Sequence, residues 1–247
     1  MSSAFISRFP ESVSKKEIDE LSLTPFSVGS SSSLIVKASL LLQHRLHAID
    51  HNFGITANQK SRPIGKMFGV LIIKDLEGNI GYLSAFSGKL NGGNHYDGFV
   101  PPIYDGLQEG GFLNEGMTQL SKIVQEVRAI EAQVDPSLNS QLELLKAKRK
   151  NHSKKLQQKL FQSYHFLNKD KESKSLIDIF HNKKPQGGSG ECAAPKLLQY
   201  AFNNNLTPLA ITEFWWGISP KSLHRIHKKH YPACEEKCRP ILSWMLG

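Results

Sequence analysis

The spacing of apolar residues along the chain predicts alternating helices and strands. Residues 34–49 carry apolar side chains at helical intervals, which predicts an amphipathic helix. Residues 67–73 form a continuous apolar run, followed by turn-forming residues at 75–79 and a second apolar segment at 80–86. This pattern predicts a β-hairpin whose first strand is buried on both faces.

The second half of the chain predicts a helical pair and then a further helix, strand and helix. Residues 116–167 have helical spacing that Pro136 interrupts, and the thin apolar seam favours an antiparallel helical hairpin. Apolar patterns then predict a helix over 192–202, a strand over 209–216 and a short helix over 234–245. The order predicts a layered α/β domain interrupted by a helical-hairpin insertion.

These elements divide the chain into three parts. Residues 1–33 are rich in serine, and we expect a loosely ordered lead-in there. Residues 34–112 and 185–247 are expected to form the α/β domain. Residues 113–184 are expected to form a helical arm that projects from it.

Positive charge is concentrated in the second half of the chain. The whole sequence holds 31 Lys and Arg against 22 Asp and Glu, and residues 141–200 alone hold 13 and 5. Lys and Arg gain affinity for a polyanion by releasing counterions from its phosphates, so RNA is the leading candidate partner. A solvated helix that only keeps the protein soluble is the alternative, and the charge does not decide between them.

Two sets of basic residues are candidates for contacting RNA. The first set lies in the second helix of the arm and comprises Lys146, Lys148, Arg149, Lys150, Lys154, Lys155 and Lys159. The second set follows the last predicted strand and comprises Lys221, Arg225, Lys228 and Lys229. Contacts to phosphate position an RNA without reading its sequence, and this is the binding we expect of the arm.

All three cysteines fall at predicted helix starts, at Cys192, Cys234 and Cys238. The spacing of the last two places both thiols on one face of a helical turn. Helix N-termini stabilise thiolates, and three convergent thiolates suit zinc. The alternative is three small buried apolar residues. At the fourth position the open choices are a water or the side chain of Glu191, His227 or His230.

The same composition predicts a cytoplasmic protein. No apolar run approaches the roughly 20 residues of a membrane-spanning helix, so no membrane partner is expected. The first residues lack the apolar core of a secretory signal. An odd number of cysteines argues against a disulfide framework.

Six segments carry a recognisable pattern: residues 64–71, 81–89, 99–102, 190–198, 213–217 and 231–238. Together they resemble the N-terminal extension of long bacterial RluA-type RNA pseudouridine synthases. In that family a catalytic domain with an Arg-Leu-Asp active-site motif follows the extension. This chain has no such motif, since its only Arg-Leu, Arg45-Leu46, precedes His47. The resemblance, without that motif, implies an RNA-binding accessory module that has no catalysis of its own. Its partners would be rRNA or tRNA and a separate pseudouridine synthase catalytic domain. A truncated synthase or a stand-alone relative is the alternative.

The predicted elements follow the order hairpin, helix, strand, helix, and cysteines lie at both helix starts. This arrangement is similar to that of the zinc-dependent deaminase superfamily. This resemblance implies a deaminase-like three-layer fold and, as an alternative function, a zinc-dependent nucleotide or base deaminase. In that superfamily a glutamate two residues after the first cysteine shuttles protons. Ala194 occupies that position here, and the spacing of Cys234 and Cys238 is one residue longer. The resemblance therefore favours a scaffold kept for structure or binding.

Overall fold

The computed structural model describes residues 4–27, 32–49, 51–53, 64–133, 135–181, 183–220 and 224–247. In chain order the described elements are α1 (Lys15–Asp19), α2 (Ser33–Leu46), β1 (Lys66–Lys74), β2 (Ile80–Phe86), α3 (Phe112–Glu131), a 3₁₀ helix (Pro136–Leu138), α4 (Asn139–Ser163), β3 (His165–Leu167), β4 (Ser173–Ser175), α5 (Leu176–Phe180), α6 (Ala193–Asn203), β5 (Thr207–Trp216), β6 (His230–Tyr231) and α7 (Arg239–Leu246). The chain forms two compact units, Met1–Ile103 with His165–Gly247, and Tyr104–Tyr164.

The larger unit is built on an antiparallel sheet with the strand order β2-β1-β5-β6. Strand β1 pairs with β2 on one side and with β5 on the other. Its residues from Phe68 to Ile73 are all buried, which confirms the predicted two-sided burial of this strand. The hairpin turns tightly because the Asp75 carboxylate accepts the backbone N–H groups of Glu77 and Asn79, at 3.0 and 2.8 Å.

Helices cover both faces of the sheet. Helix α2 buries Leu34 and Leu42 in one core with Phe68 of β1 and Phe214 of β5. Helix α6 packs on the opposite face, where Gly69 lets it approach: a Cβ added there would lie 3.1 Å from both Ala193 Cβ and Leu197 Cδ1. Helix α7 packs against α6. The predicted mixed α/β class is confirmed, with an antiparallel sheet.

The lead-in is more ordered than its composition predicts, and the expectation is corrected for residues 4–27. Ser7 pairs with Tyr82 as a β-bridge, so the segment extends the sheet beyond β2. Helix α1 begins with a capping box in which Ser14 and Glu17 satisfy each other's backbone N–H groups. The apolar side chains that pack it onto the core are Phe9, Val13 and Leu21.

The smaller unit is the predicted helical hairpin. Helices α3 and α4 run antiparallel, since His152 Nε2 lies 2.8 Å from the carbonyl oxygen of Gly116 and Lys146 pairs with Glu131 at 3.3 Å. The unit runs from Tyr104 to Tyr164 and not over the predicted 113–184, so it begins earlier than expected and the residues after Tyr164 belong to the larger unit. There β3 pairs with β4 and their Phe166 is fully buried. No helix within the described ranges is long and apolar enough to cross a bilayer.

Candidate functional site

Two of the three cysteines lie where a segment of the larger unit enters a helix. Cys192 is the N-cap of α6, and Cys238 is the N-cap of α7. Helix α7 begins at Arg239, so the helix predicted from 234 starts later than expected. Cys234 instead opens a turn in which its carbonyl accepts the N–H groups of Cys238 and Arg239, at 3.2 and 3.0 Å. This turn places the two thiols side by side.

The three thiols converge, as the sequence predicts. The Sγ atoms of Cys192, Cys234 and Cys238 all lie within 4.8 Å of one another, a set of metal-ligating atoms that the described residues hold nowhere else. Tetrahedral zinc with Zn–S bonds of about 2.3 Å needs sulfurs roughly 3.8 Å apart, so a small contraction completes the geometry. Cys238 is buried, Cys192 is half-buried and Cys234 is exposed, so the cluster opens to solvent on one side. The residues present fit a metal ion.

Hydrogen bonds among the three thiols move their pKa values in opposite directions. Hydrogen bonds from the Cys192 and Cys238 thiols lower the pKa of Cys234 far below its ordinary value, and the backbone N–H groups of Lys237 and Cys238 add to this effect. The same hydrogen bonds raise the pKa values of Cys192 and Cys238. Cysteine binds a metal as the thiolate, so metal binding releases thiol protons and its affinity depends on pH.

A buried carboxylate that sequence reasoning missed lies beside the cluster. Glu213, on β5, is 7% exposed and accepts the backbone N–H of Ala194 at 3.1 Å. Burial, with a smaller contribution from the charge of Cys234, raises the pKa of Glu213 to about 7, although the hydrogen bond from the Ala194 N–H acts in the opposite direction. The sequence does contain a signal for it, because Glu213 is the only acid in an apolar strand whose other residues are mostly buried. The alternation of side chains along a strand, taken alone, instead suggests that Glu213 faces solvent.

The two candidate histidine ligands lie on the other side of the sheet. His230 Nδ1 lies 2.8 Å from Thr212 Oγ1, and the His227 ring packs on Trp216 with centroids 4.4 Å apart. Thr212 and Trp216 alternate with Glu213 along β5, so they point to the face that α2 covers. Neither histidine reaches the thiols.

Glu191 is directed to a different set of groups. The backbone N–H of Gly88 donates to its carbonyl at 2.8 Å, and its charge acts on two lysines, Lys66 and Lys196. Lys196 of α6 is 4% exposed, and its Nζ donates to the carbonyl oxygens of Phe86 and Gly88, each at 3.0 Å. Burial lowers the pKa of Lys196 to about 8. This ammonium fixes the end of β2 to the helix that carries Cys192.

The first basic set lies along the exposed face of α4. Six of its members are exposed: Lys148, Arg149, Lys150, Lys154, Lys155 and Lys159. Lys146 is half-buried and pairs with Glu131 at 3.3 Å and with Glu143 at 3.7 Å. No acidic residue occurs in the sequence from 144 to 169. The structure thus leaves most of this set without an acidic neighbour on its own helix.

The second basic set surrounds aromatic rings at the sheet edge formed by β6. The Arg225 guanidinium lies 4.1 Å from the ring centroid of Tyr231, and Lys229 Nζ lies 5.8 Å from the same ring. Lys228 Nζ lies 5.7 Å from the Trp216 ring. Lys221 falls outside the described residues. Arg225 and Lys229 therefore share the half-buried Tyr231 ring on this basic surface, whereas the Trp216 ring near Lys228 is fully buried.

Comparison of the chain with protein-family models, with curated proteins and with solved structures gives no match. The resemblances to pseudouridine synthase extensions and to deaminases therefore stay predictions from the motifs. The class that fold and site define is a mixed α/β protein with three convergent thiols able to hold a metal ion.

Proposed function

We propose that the chain is an RNA-binding accessory module of RNA pseudouridine synthesis, in which Cys192, Cys234 and Cys238 hold a zinc ion. The observation that carries this proposal is the exposed basic face of α4. The six sequence segments that resemble synthase extensions support the association with a separate RluA-type catalytic domain. The RNA would be rRNA or tRNA, and the reduced thiols suit the cytoplasm.

The charges on α4 favour an anionic partner over a purely solvated face. Lys146, Lys150 and Lys154 follow one another at four-residue intervals, as do Lys155 and Lys159. Like charges at this spacing lie one above the other on a helix and destabilise it. A solvated helix usually relieves this repulsion with interleaved acids, which α4 lacks after Glu143. Phosphates of a bound RNA would neutralise the same charges.

The surface around Tyr231 is a second contact that RNA fits. A guanidinium stacked on an aromatic ring, as Arg225 is, keeps its N–H donors available to phosphate. Unpaired bases stack on aromatic and guanidinium planes in the same way. We assign Arg225, Lys228 and Lys229 to this auxiliary contact.

Salt-dependent binding tests the assignment of α4. The zinc-loaded chain would be titrated into labelled single-stranded RNA at several salt concentrations, with anisotropy as the readout. The arm variant changes four residues together to Gln: Lys148, Arg149, Lys154 and Lys155. In this variant the slope of log affinity against log salt should become less steep, by about 0.7 for each phosphate that these side chains neutralise in the wild type. A control variant carries the same four-charge change at exposed residues elsewhere, with Lys15, Lys16, Lys74 and Lys89 changed to Gln.

Two outcomes of this titration contradict the proposal. If the arm variant and the control variant show the same slope of log affinity against log salt, the RNA site does not lie on α4. The surface around Tyr231 would then be tested. Absence of any RNA binding by the wild-type chain at low salt would overturn RNA binding altogether.

Zinc is the metal that the donor set favours. Three thiolates form a soft ligand set, and zinc takes thiolate ligands in tetrahedral geometry. Elemental analysis of the purified chain should give one zinc per molecule, and Cys192→Ser or Cys238→Ser should lose it. Zinc retained in both variants would contradict the assignment of these ligands.

The topology supports a deaminase-like arrangement for the larger unit. The hairpin β1–β2, the helix α6 with Cys192 at its N-cap and the strand β5 next to β1 follow the order of that superfamily. The cysteine-bearing turn before α7 then follows β5 along the chain. We infer that the thiol site and the fold belong to this deaminase-like class.

A further inference from the structure

The three thiols differ in how far solvent reaches them. Cys234 is exposed, Cys192 is half-buried, and Cys238 is buried with 2% of its surface accessible. Oxidation of a cysteine by a dissolved peroxide requires contact between the sulfur and the oxidant, so it follows exposure. A peroxide therefore meets the Cys234 sulfur first. The cluster has one accessible thiol and two more protected neighbours.

Both neighbours are in contact with the Cys234 sulfur. The three Sγ atoms lie within 4.8 Å of one another, and the thiols of Cys192 and Cys238 donate hydrogen bonds to Cys234. A sulfenic acid condenses with a nearby thiol to give a disulfide. The sulfurs of a disulfide are about 2.05 Å apart, so its formation here requires only that side chains already in contact come closer.

The spacing of the turn favours Cys192 over Cys238 as the partner of Cys234. The backbone N–H of Cys238 donates to the Cys234 carbonyl at 3.2 Å, so these two residues are four apart on one helical turn. Cβ atoms at this spacing are about 5–6 Å apart, whereas a disulfide needs roughly 3.5–4.5 Å. Cys192 reaches the cluster from a different element, as the N-cap of α6, and the turn does not hold it away from Cys234.

We propose that Cys234 and Cys192 form a reversible disulfide in the presence of hydrogen peroxide, and that Cys234 is the thiol that reacts first. In the first step the Cys234 thiolate attacks one peroxide oxygen, the O–O bond breaks and hydroxide leaves, so that Cys234 becomes a sulfenic acid. In the second step the Cys192 sulfur attacks the Cys234 sulfur and the S–O bond breaks. The Cys192 proton leaves with the hydroxyl group as water. Together the two sulfurs lose two electrons, and the peroxide is reduced.

The disulfide uses two of the three thiols that we assign to zinc. Oxidation should therefore release the metal, and reduction by a low-molecular-weight thiol should restore binding. This consequence rests on the proposed zinc site, whereas the disulfide itself requires no metal. Disulfides of cytosolic proteins are usually transient and redox-sensing, so a reversible bond fits the proposed compartment. The inference gives the thiol cluster a regulatory role that RNA binding alone does not.

Peroxide oxidation of the reduced, metal-free chain tests the disulfide directly. One equivalent of hydrogen peroxide is added, the remaining thiols are alkylated, and the linkage is read by mass spectrometry of a non-reduced tryptic digest. Trypsin cleaves after Lys196 and Lys237, so each of the three cysteines lies on a different peptide. Wild type should lose two thiols, give the peptide pair linked through Cys192 and Cys234, and regain all three thiols with dithiothreitol.

Two results for wild type would overturn the inference. A linkage between Cys234 and Cys238 would show that the turn does not keep these two sulfurs from bonding. Three thiols that survive the peroxide treatment would show that the cluster forms no disulfide. Both results come from the unaltered chain, so they do not depend on whether a variant folds.

Serine variants assign the role of each thiol. Cys234→Ser should lose thiols about tenfold more slowly than wild type, because the remaining sulfurs are shielded from the oxidant. Cys192→Ser should keep a sulfenic acid at Cys234, which dimedone labels. Cys238→Ser is the matched control and should form the disulfide within about twofold of the wild-type rate. Equal rates of thiol loss in Cys234→Ser and wild type would contradict the order of the two steps.

The zinc-loaded chain separates this inference from the zinc assignment. Peroxide should release zinc to a metallochromic dye as the disulfide forms, and dithiothreitol should return the zinc to the protein. A purified chain that binds no zinc would overturn the metal site and leave the result for the metal-free chain standing. Zinc that stays bound after Cys192 and Cys234 are linked would overturn the regulatory role of the disulfide.

Discussion

Replacing Lys196 with methionine removes a positive charge that lies almost fully inside the α/β unit. Its side chain is 4% exposed, and its Nζ donates only to the backbone, at Phe86 and Gly88, in the hydrogen bonds that the structure records. Because a buried ammonium loses its hydration, its charged form is disfavoured in the folded protein. The stability of the wild type should therefore depend on pH in a way that Lys196→Met does not share.

The magnitude follows from the two pKa values of Lys196. Burial lowers its pKa to about 8, against 10.5 for the ordinary side chain. Between these values the unfolded chain binds more protons than the folded one, so the free energy of unfolding rises with pH. Each pH unit corresponds to about 1.4 kcal/mol, which gives a full rise of about 3 kcal/mol and about 2.5 kcal/mol between pH 7 and pH 10.

Urea unfolding of the reduced, metal-free chain at both pH values measures this rise. Tryptophan fluorescence reports the larger unit alone, because Trp215, Trp216 and Trp244 all lie in it. The difference between wild type and Lys196→Met removes the contribution of other groups that titrate in both proteins.

An exposed lysine provides the control for this measurement. Lys74 lies at the exposed end of β1, and Lys74→Met should keep the wild-type rise with pH. If Lys196→Met shows the same rise as wild type, the buried ammonium is not the cause and the reasoning is refuted.

Two further predictions concern other parts of the fold. Gly116→Val should destabilise the helical hairpin by about 1–3 kcal/mol, because a Cβ at Gly116 would lie 2.4 Å from Leu156 Cδ1; an unchanged melt at 222 nm would contradict this. The hydrogen bond from Arg8 lowers the pKa of Asp75 to about 2, so this pair stabilises above about pH 4 and loses its effect as pH falls towards 2. Arg8→Ala should therefore lower stability at pH 5 and not at pH 2, and equal acid unfolding profiles would exclude the pairing.

The local sequence pattern is enough to predict those helices and strands whose apolar residues are either continuous or strongly periodic. The run at 67–73 is apolar on both faces, and β1 is buried there as expected. Pro136 separates α3 from α4 because proline removes a backbone donor. The predicted start of α7 is too early because residues 234–238 are compatible with a helix, whereas Pro240 in its first turn marks where the helix begins.

The site depends on contacts that no local pattern contains. Convergence of the three thiols follows from two helix starts that face each other, which the chain order suggests. Glu213 joins them only through the pairing of β5 with β1 and the approach of α6 at Gly69. The ordered structure of the N-terminal lead-in likewise depends on a distant strand. The backbone of Ser7 forms two hydrogen bonds with the backbone of Tyr82 at the edge of β2.

Chemical footprinting of lysines in the RNA complex tests the central claim most directly. The zinc-loaded chain would be acetylated with and without bound RNA, and modification at each lysine read by mass spectrometry. The account predicts at least fivefold protection at the exposed arm lysines, Lys148, Lys154, Lys155 and Lys159, and none at Lys15 and Lys16 of α1. Equal reactivity of the arm lysines in the free and RNA-bound protein would contradict it.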